Sequence, residues 1–426
     1  MRWRVRPRTI GGEIEVPGDK SIAHRALMVG ALAEGETRVI GLPDGEDVHS
    51  TQRCLATCGV HFDHNHDYVS IRAPEAMTEP SQPLDAGNSG TTMRLLAGIL
   101  AGRPFESTLV GDASLSRRPM ERVAEPLRQM GARVESHEGF PPLWITGGEL
   151  APLQYVSPIP SAQVKSAILF AGLSAPGMTS VTEPAPSRDH TERMLAATGI
   201  DIQRRNGTVH ISGGRKPRAF VIVIPGDISA AAFFLVAGAL TGGRVTVRNV
   251  GVNPTRAGIL EALDRMGASI EIRGRREEMG EPVADITVTG PVTKSIVIEG
   301  GEVPALIDEI PLLALLATRP NGRSVIRGAS ELRVKESDRL AATARVLGAL
   351  GARVRELPDG LIVDGGAILK GEAIESGGDH RIAMMAAVAG TVALGQTVIG
   401  DAEACVVSYP GFAVALRALG GSIDEV

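Results

Sequence analysis

Six times along the chain an apolar helix face ending in leucine stops at a glycine and gives way to a short strand. The segments are "LATCGVHF" from Leu55, "LRQMGARV" from Leu127, "LAATGIDI" from Leu195, "LDRMGASI" from Leu263, "LGALGARV" from Leu347 and "LRALGGSI" from Leu416. They recur roughly every 70 to 85 residues, a spacing that marks an internal structural repeat. Each glycine stands where a left-handed C-cap would close a helix, so every segment predicts helix, turn and strand in that order. A second set keeps step with the first: "GETRVIG", "FESTLVG", "MTSVTEP", "GRVTVRN", "GRSVIRG" and "GQTVIG" each predict a turn and an alternating Thr/Val strand. Ahead of those strands lie six helices of small and apolar residues: "KSIAHRALMVGAL", "SGTTMRLLAGIL", "SAQVKSAILFAGL", "ISAAAFFLVAGAL", "DEIPLLALLA" and "DHRIAMMAAVAG". Each unit therefore reads as helix, strand, helix, strand.

The fourth unit opens as the first does. "IPGDISAAAFFLVAGAL" at Ile224 can be set against "VPGDKSIAHRALMVGAL" at Val16, so each half begins with Pro-Gly-Asp and holds three units. The expectation is an α/β (α+β) protein of two pseudo-symmetric domains: residues 16–224 as one, residues 1–15 with 225–426 as the other, and the joints near Pro17 and Pro225. A length of 426 residues agrees, since one core rarely serves so long a chain.

Composition narrows the function. Aromatic residues make up 3% of the chain, which argues against a surface that stacks nucleic-acid bases. The formal net charge is -5, so an acidic ligand must be held by a local cluster and not by the field of the whole protein. Three cysteines make no disulfide framework and point to a reduced, cytoplasmic setting. The start "MRWRVRPRTIGGEIEV" has no apolar signal core, and no stretch approaches the roughly 20 apolar residues of a membrane span.

The unusual polar residues fall in one phase, at helix beginnings, where free N-H groups and the positive end of the helix dipole attract anions. "GDKSIAHR", "GNSGTTMR", "PSAQVK", "LIDEIP" and "GGDHR" precede the first helix of a unit; "SLSRRPM", "PSRDHTERM" and "LRVKESDRL" precede the second. In "RVKESDRL", helical spacing would set Lys335 beside Arg339, with Lys335–Asp338 and Glu336–Arg339 compensating at i, i+3. One such charged turn would be a solvated surface; several in the same phase point to an anion site. Other chemistries fit less well. Cys54, Cys58, His61, His64 and His66 have metal-like spacing, but the repeat puts both cysteines in core slots, so no metal is expected and the histidines belong to a hairpin. "GNSGTTMR" lacks the lysine of a P-loop, and the Ser, His and Asp of "SRDHTERM" would point in different directions from one helix turn.

"GDKSIAHRAL", "GNSGTTMR", "SLSRRPM", "SAQVKSA", "RVKESDRL" and "GDHRIAM" resemble, in order and spacing and nearly end to end, the signature segments of the 5-enolpyruvylshikimate-3-phosphate synthase family. The resemblance implies the enolpyruvyl-transferase fold, an inside-out α/β barrel of two domains, each with three βαβαββ units, closing on substrate. It implies transfer of the enolpyruvyl group of phosphoenolpyruvate to the 5-hydroxyl of shikimate 3-phosphate with release of phosphate, through a tetrahedral adduct and without cofactor or metal. Such chemistry must neutralise several negative charges and supply both an acid and a base.

Carried over by that resemblance, Lys20 touches both substrates and shuttles a proton, while Ser21 and Arg25 hold the shikimate carboxylate. Ser161, Gln163 and Ser187 hold the shikimate phosphate and ring. Arg118, Arg339 and Arg381 clamp phosphoenolpyruvate, whose pocket Gly90 lines and Gln163 also reaches. Asp308 is the base for the 5-hydroxyl, Lys335 its partner at the ring, and Glu336 the acid/base at the methylene carbon. Three positions depart from the family pattern: Val407 stands for a lysine, Glu331 for an asparagine, and Ala162 for a serine. A transferase acting on a UDP-amino sugar (UDP-N-acetylglucosamine 1-carboxyvinyltransferase) would carry a cysteine in "GDASLSRRPM" and an asparagine after Lys20; this chain has neither. A non-catalytic binding protein would have lost the acid/base pair, which is present. A monomer is expected, with no nucleic-acid or membrane partner.

Overall fold

The computed structural model describes all 426 residues, Met1–Val426. Two compact units emerge: a C-terminal unit of Met1–Pro17, Pro225–Arg276 and Pro282–Val426, and an N-terminal unit of Gly18–Ile224 with the hairpin tip Glu277–Glu281. Six four-stranded sheets are present. In each sheet one pair of strands runs parallel, for example Val221–Val223 beside Glu36–Ile40 and Val297–Ile298 beside Arg323–Ile326. The next strands add antiparallel, as the alternating Thr/Val pattern requires when one sheet face is buried.

The six glycine junctions behave alike for one physical reason. Gly59, Gly131, Gly199, Gly267, Gly351 and Gly420 all have φ between 88° and 109°, a region costly for any residue with a Cβ. The N-H of the following residue returns to the carbonyl of the leucine that opens each segment: Val60 to Leu55, Ala132 to Leu127, Ile200 to Leu195, Ala268 to Leu263, Ala352 to Leu347 and Gly421 to Leu416. This is the Schellman closure, repeated six times.

The small-residue helices form the centre of each unit. Lys20–Gly30, Gly90–Ala101 and Ala162–Ser174 lie in the N-terminal unit; Ile228–Thr241, Ile310–Leu316 and His380–Gly390 lie in the C-terminal unit, buried along nearly their whole length. Small residues let them approach: a Cβ on Gly98 would stand 2.1 Å from the Ala167 carbonyl oxygen. Each unit has its own core. That of the C-terminal unit includes a stack of Trp3, Phe234 and Phe412, each worth roughly 2–3 kcal/mol in buried apolar area.

Two local expectations change. "DEIPLLALLA" is broken: the helix starts at Ile310, with Pro311 in its first turn, and Asp308 precedes it without capping it. "RVKESDRL" is helical only from Arg339. Ser330–Val334 forms a 3-10 turn, and Asp338 caps the helix Arg339–Ala349 by accepting from the Ala341 N-H. Because Asp338 takes the cap and pairs with Arg333 at 2.6 Å, Lys335 and Glu336 sit ahead of the helix and not on its face.

Candidate active site

The helix starts are built for anions. Asp19, Ser89 and Ser161 cap the three central helices of the N-terminal unit, accepting from Ile22, Thr92 and Val164. The residues after them are the candidate ligands. Lys20 holds Asp47 at 2.7 Å. Arg25, one turn on and 2% exposed, donates through Nε to Thr191 Oγ1 at 2.7 Å, through Nη2 to Ser166 Oγ at 3.0 Å and through Nη1 to the Ser21 carbonyl at 2.9 Å. Burial lowers its pKa to about 10, with Glu192 opposing that shift and Arg188 adding to it. A second cation close to a buried guanidinium is what an anion-binding wall requires.

Gly90 begins its helix beside two arginines. A Cβ there would lie 2.8 Å from Arg94 Nη1 and 3.5 Å from Arg118 Nη1. Arg94 donates to Gln163 Oε1 at 2.7 Å and to the Pro119 carbonyl at 3.0 Å; Gln163 donates to Thr91 at 3.0 Å. Arg118, 6% exposed, donates to Asn88 Oδ1 at 2.6 Å and Ser114 Oγ at 3.2 Å. Arg94, which the sequence reading passed over although it closes "GNSGTTMR", therefore links the helix start at Gly90 to Gln163 and to the Pro119 carbonyl next to Arg118.

Ser161 caps its helix, and Ser187 donates its hydroxyl to Glu183 Oε1 at 2.5 Å. Behind them Lys165, 1% exposed, meets Glu183 at 2.7 Å and Glu192 at 2.8 Å. A lysine set between valine and an apolar run was the available signal, because a charge there must be paired.

In the C-terminal unit Asp308, Glu336, Arg339 and Arg381 come together. Arg339 is 1% exposed and donates to Asp379 Oδ2 at 2.9 Å, to Glu336 Oε2 at 2.5 Å and to Asp308 Oδ1 at 3.3 Å. Burial works against its charge, but Asp379, Glu336 and Asp308 outweigh that and hold the guanidinium protonated. Arg381 lies 3.6 Å from Asp308 Oδ2 and 4.0 Å from Glu309. Asp379, missed in the sequence although it adjoins His380, also caps Arg381 N and accepts from Ser337 at 2.8 Å. Burial opposes its ionisation and Arg339 overrides it, so its pKa is held below the ordinary carboxylate value. Lys335 is half-buried at the end of the 3-10 turn.

Lys20, Ser21, Arg25, Gly90, Arg118, Ser161, Gln163 and Ser187 thus belong to one unit, and Asp308, Lys335, Glu336, Arg339 and Arg381 to the other. The histidines of the metal-like segment sit on the hairpin His61–His64 and Tyr68–Arg72, where His61 pairs with Asp63 and His66 with Asp67; Cys54 and Cys58 are core residues, and no metal-holding group forms. No helix is long and apolar enough to cross a membrane.

Arginines at or near helix starts in both units, with the acids Asp308, Glu336 and Asp379 gathered in one of them, sit on six repeated sheets. The enolpyruvyl transferase NikO from Streptomyces tendae shares the fold, with TM-score 0.81 at 19% identity over 100% of this chain and 98% of that one. A family model described as EPSP synthase (3-phosphoshikimate 1-carboxyvinyltransferase) matches residues 5–416, and the chain belongs to that family. A 3-phosphoshikimate 1-carboxyvinyltransferase of Bacillus cereus is 50% identical over 415 residues, 96% of this chain and 97% of that one. An EPSP synthase from Acinetobacter baumannii has TM-score 0.88 at 42% identity, with 100% of both chains covered.

Proposed function

We propose that this chain transfers the enolpyruvyl group of phosphoenolpyruvate to the 5-hydroxyl of shikimate 3-phosphate, releasing phosphate. The observation that carries the reading is the cluster around Arg339, in which Asp308 and Glu336 share with Asp379 one buried guanidinium. Addition and elimination need a base at the hydroxyl and an acid at the methylene carbon, and two acids whose charges a fixed arginine modulates can serve both. Asp308 takes the hydroxyl proton; Glu336 protonates the methylene carbon and removes that proton in the second step.

The N-terminal unit supplies the anion ligands. Ser161, Gln163 and Ser187 take the shikimate phosphate and ring, Ser21 and Arg25 the carboxylate, and Lys20 both substrates. Arg118, Gly90, Gln163, Arg339 and Arg381 take phosphoenolpyruvate, since planar guanidinium forks suit phosphate and carboxylate. Lys335 serves the ring beside Asp308. The chain acts in the cytoplasm as a monomer. The test is phosphate release from phosphoenolpyruvate on adding shikimate 3-phosphate; release with UDP-N-acetylglucosamine in its place would overturn the assignment.

A further inference from the structure

Ser187 poses a hydrogen-bond problem. A hydroxyl has one hydrogen to give, and here it is given to Glu183 Oε1 at 2.5 Å, the length of a charge-assisted bond. In that state Ser187 has no hydrogen left for a phosphate, and a phosphate dianion wants donors only. Ser187 is 3% exposed, so water does not readily replace a lost partner.

The wall behind it shows how the bond could be given up. Lys165 Nζ donates to Glu183 Oε2 at 2.7 Å and to the Ser187 carbonyl at 3.5 Å, and forms an ion pair with Glu192 Oε1 at 2.8 Å. Glu183 is thus held through its other oxygen by a buried ammonium, and losing the serine hydroxyl does not leave its charge unpaired. The side chains of Lys165, Glu183 and Glu192 are 1%, 5% and 10% exposed, and this burial keeps the pairing strong and the groups in place. The same lysine ties the backbone of Ser187 to the helix Ala162–Ser174, whose start carries Ser161 and Gln163.

We propose that Ser187 works by exchange: its hydroxyl rests on Glu183 and turns to the phosphate of shikimate 3-phosphate when that substrate binds, while Lys165 keeps Glu183 neutralised. Glu183 and Lys165 are positioning residues, and the bond from Ser187 to Glu183 is a competitor that sets the affinity for the phosphate. No covalent step is involved; one hydroxyl hydrogen changes acceptor. The inference rests on the assignment of Ser187 to the substrate phosphate made above.

The exchange has a sign that a merely structural role lacks. Glu183→Gln leaves a neutral acceptor, and a neutral hydrogen bond is about half as strong as a charged one, so the hydroxyl is released more easily. KM for shikimate 3-phosphate should fall about threefold to fivefold, with KM for phosphoenolpyruvate unchanged. Ser187→Ala should raise KM for shikimate 3-phosphate about tenfold, and in that background Glu183→Gln should change it by less than about twofold. A loop merely held together by Glu183 would give the opposite result, a raised KM in Glu183→Gln with or without Ser187, and that outcome overturns the exchange. An unchanged KM in Ser187→Ala overturns the phosphate assignment itself and the exchange with it. Should Glu183→Gln fail to fold, a structure of the wild-type chain with shikimate 3-phosphate decides. Ser187 Oγ beyond hydrogen-bond reach of Glu183 and against the phosphate supports the exchange, and an intact bond to Glu183 defeats it.

Discussion

Gly90→Ala perturbs the candidate phosphoenolpyruvate pocket by one methyl group, and the structure says how far. The new Cβ would stand 2.8 Å from Arg94 Nη1, about 0.6 Å short of the 3.4 Å at which ordinary contact begins. The backbone of Gly90 heads a buried helix capped by Ser89, so the arginine must give way. Arg94 Nη1 bonds Gln163 Oε1 at 2.7 Å and Nη2 bonds the Pro119 carbonyl at 3.0 Å; a retreat of that size takes the first bond past the roughly 3.2 Å limit. Gln163 loses the charged donor that holds it, a bond worth about 1.5–3 kcal/mol, and the displaced Gln163 and Arg118 should bind phosphoenolpyruvate about tenfold more weakly. The loss of that internal bond also falls on the fold, and the gain of about 0.4–1 kcal/mol from the unfolded chain for Gly to Ala in a helix conformation offsets only part of it, so the variant should fold with somewhat lower stability. Steady-state kinetics with each substrate varied, beside a thermal melt, reads both effects. KM for phosphoenolpyruvate should rise while Tm falls by a few degrees at most; an unchanged KM for phosphoenolpyruvate in a folded variant would refute the pocket's placement around Gly90.

Glu336→Gln keeps an oxygen for Arg339 Nη2, and Asp379 and Asp308 still hold that arginine, so the fold should survive while kcat drops by about 10²–10⁴; near-normal turnover removes Glu336 from the acid/base role. His24 is fully buried, and burial first, then Lys20 and Arg25, hold its pKa well below 6.5. It stays neutral in the native state while the unfolded chain takes up a proton below about pH 6.5, so stability is lost as pH drops below about 6.5, approaching about 1.4 kcal/mol per unit from this group. Urea melts of His24→Gln between pH 7 and 5 should lack that slope, and equal slopes in variant and wild type would speak against it. Gly351→Ala meets open space, its nearest neighbour being the Ile368 carbonyl at 3.8 Å, so the cost is that of the backbone at φ 93° alone, about 1–2 kcal/mol in a urea melt; no loss would mean that the turn relaxes.

How much of this was legible depended on whether the signal was local. The six Schellman turns were, because leucine, glycine and the following strand sit within eight residues and only glycine tolerates the required φ. The helix starts were legible too, as Asp19, Ser89, Ser161, Asp227 and Asp379 each cap within three residues. Where two local preferences competed, the sequence misled. Asp338 could extend a helix backwards or cap it, and the cap won because it satisfies Ala341 N and pairs with Arg333. Partners distant in sequence could not be read at all. Nothing near Lys165 announces Glu183 and Glu192, nothing near Arg94 announces Gln163, and Asp379 is 40 residues from the arginine it holds.

The two Pro-Gly-Asp entrances show how one backbone plan came to serve two chemistries. Asp19 and Asp227 both cap their helices, Asp19 accepting from the Ile22 N-H three residues on and Asp227 from the Ser229 N-H two residues on. The next residue then divides them. Lys20 brings a cation to its helix start and is steadied by Asp47, in a wall that already carries Arg25 and Arg188. Ile228 brings none, and the cation arrives from elsewhere: Arg256, 3% exposed, reaches Asp227 at 3.4 Å, Ser229 at 2.5 Å and Glu309 at 3.1 Å, while Ser229 itself bonds Glu309. There Asp227 caps the helix, and Glu309 takes the Ser229 hydroxyl and the Arg256 guanidinium beside it. That glutamate is the neighbour of Asp308, so its pairing with Arg256 and Ser229 fixes the backbone beside the base proposed for the hydroxyl. In the proposed reaction the helix start with lysine binds substrate, and the helix start without it holds a catalytic carboxylate still.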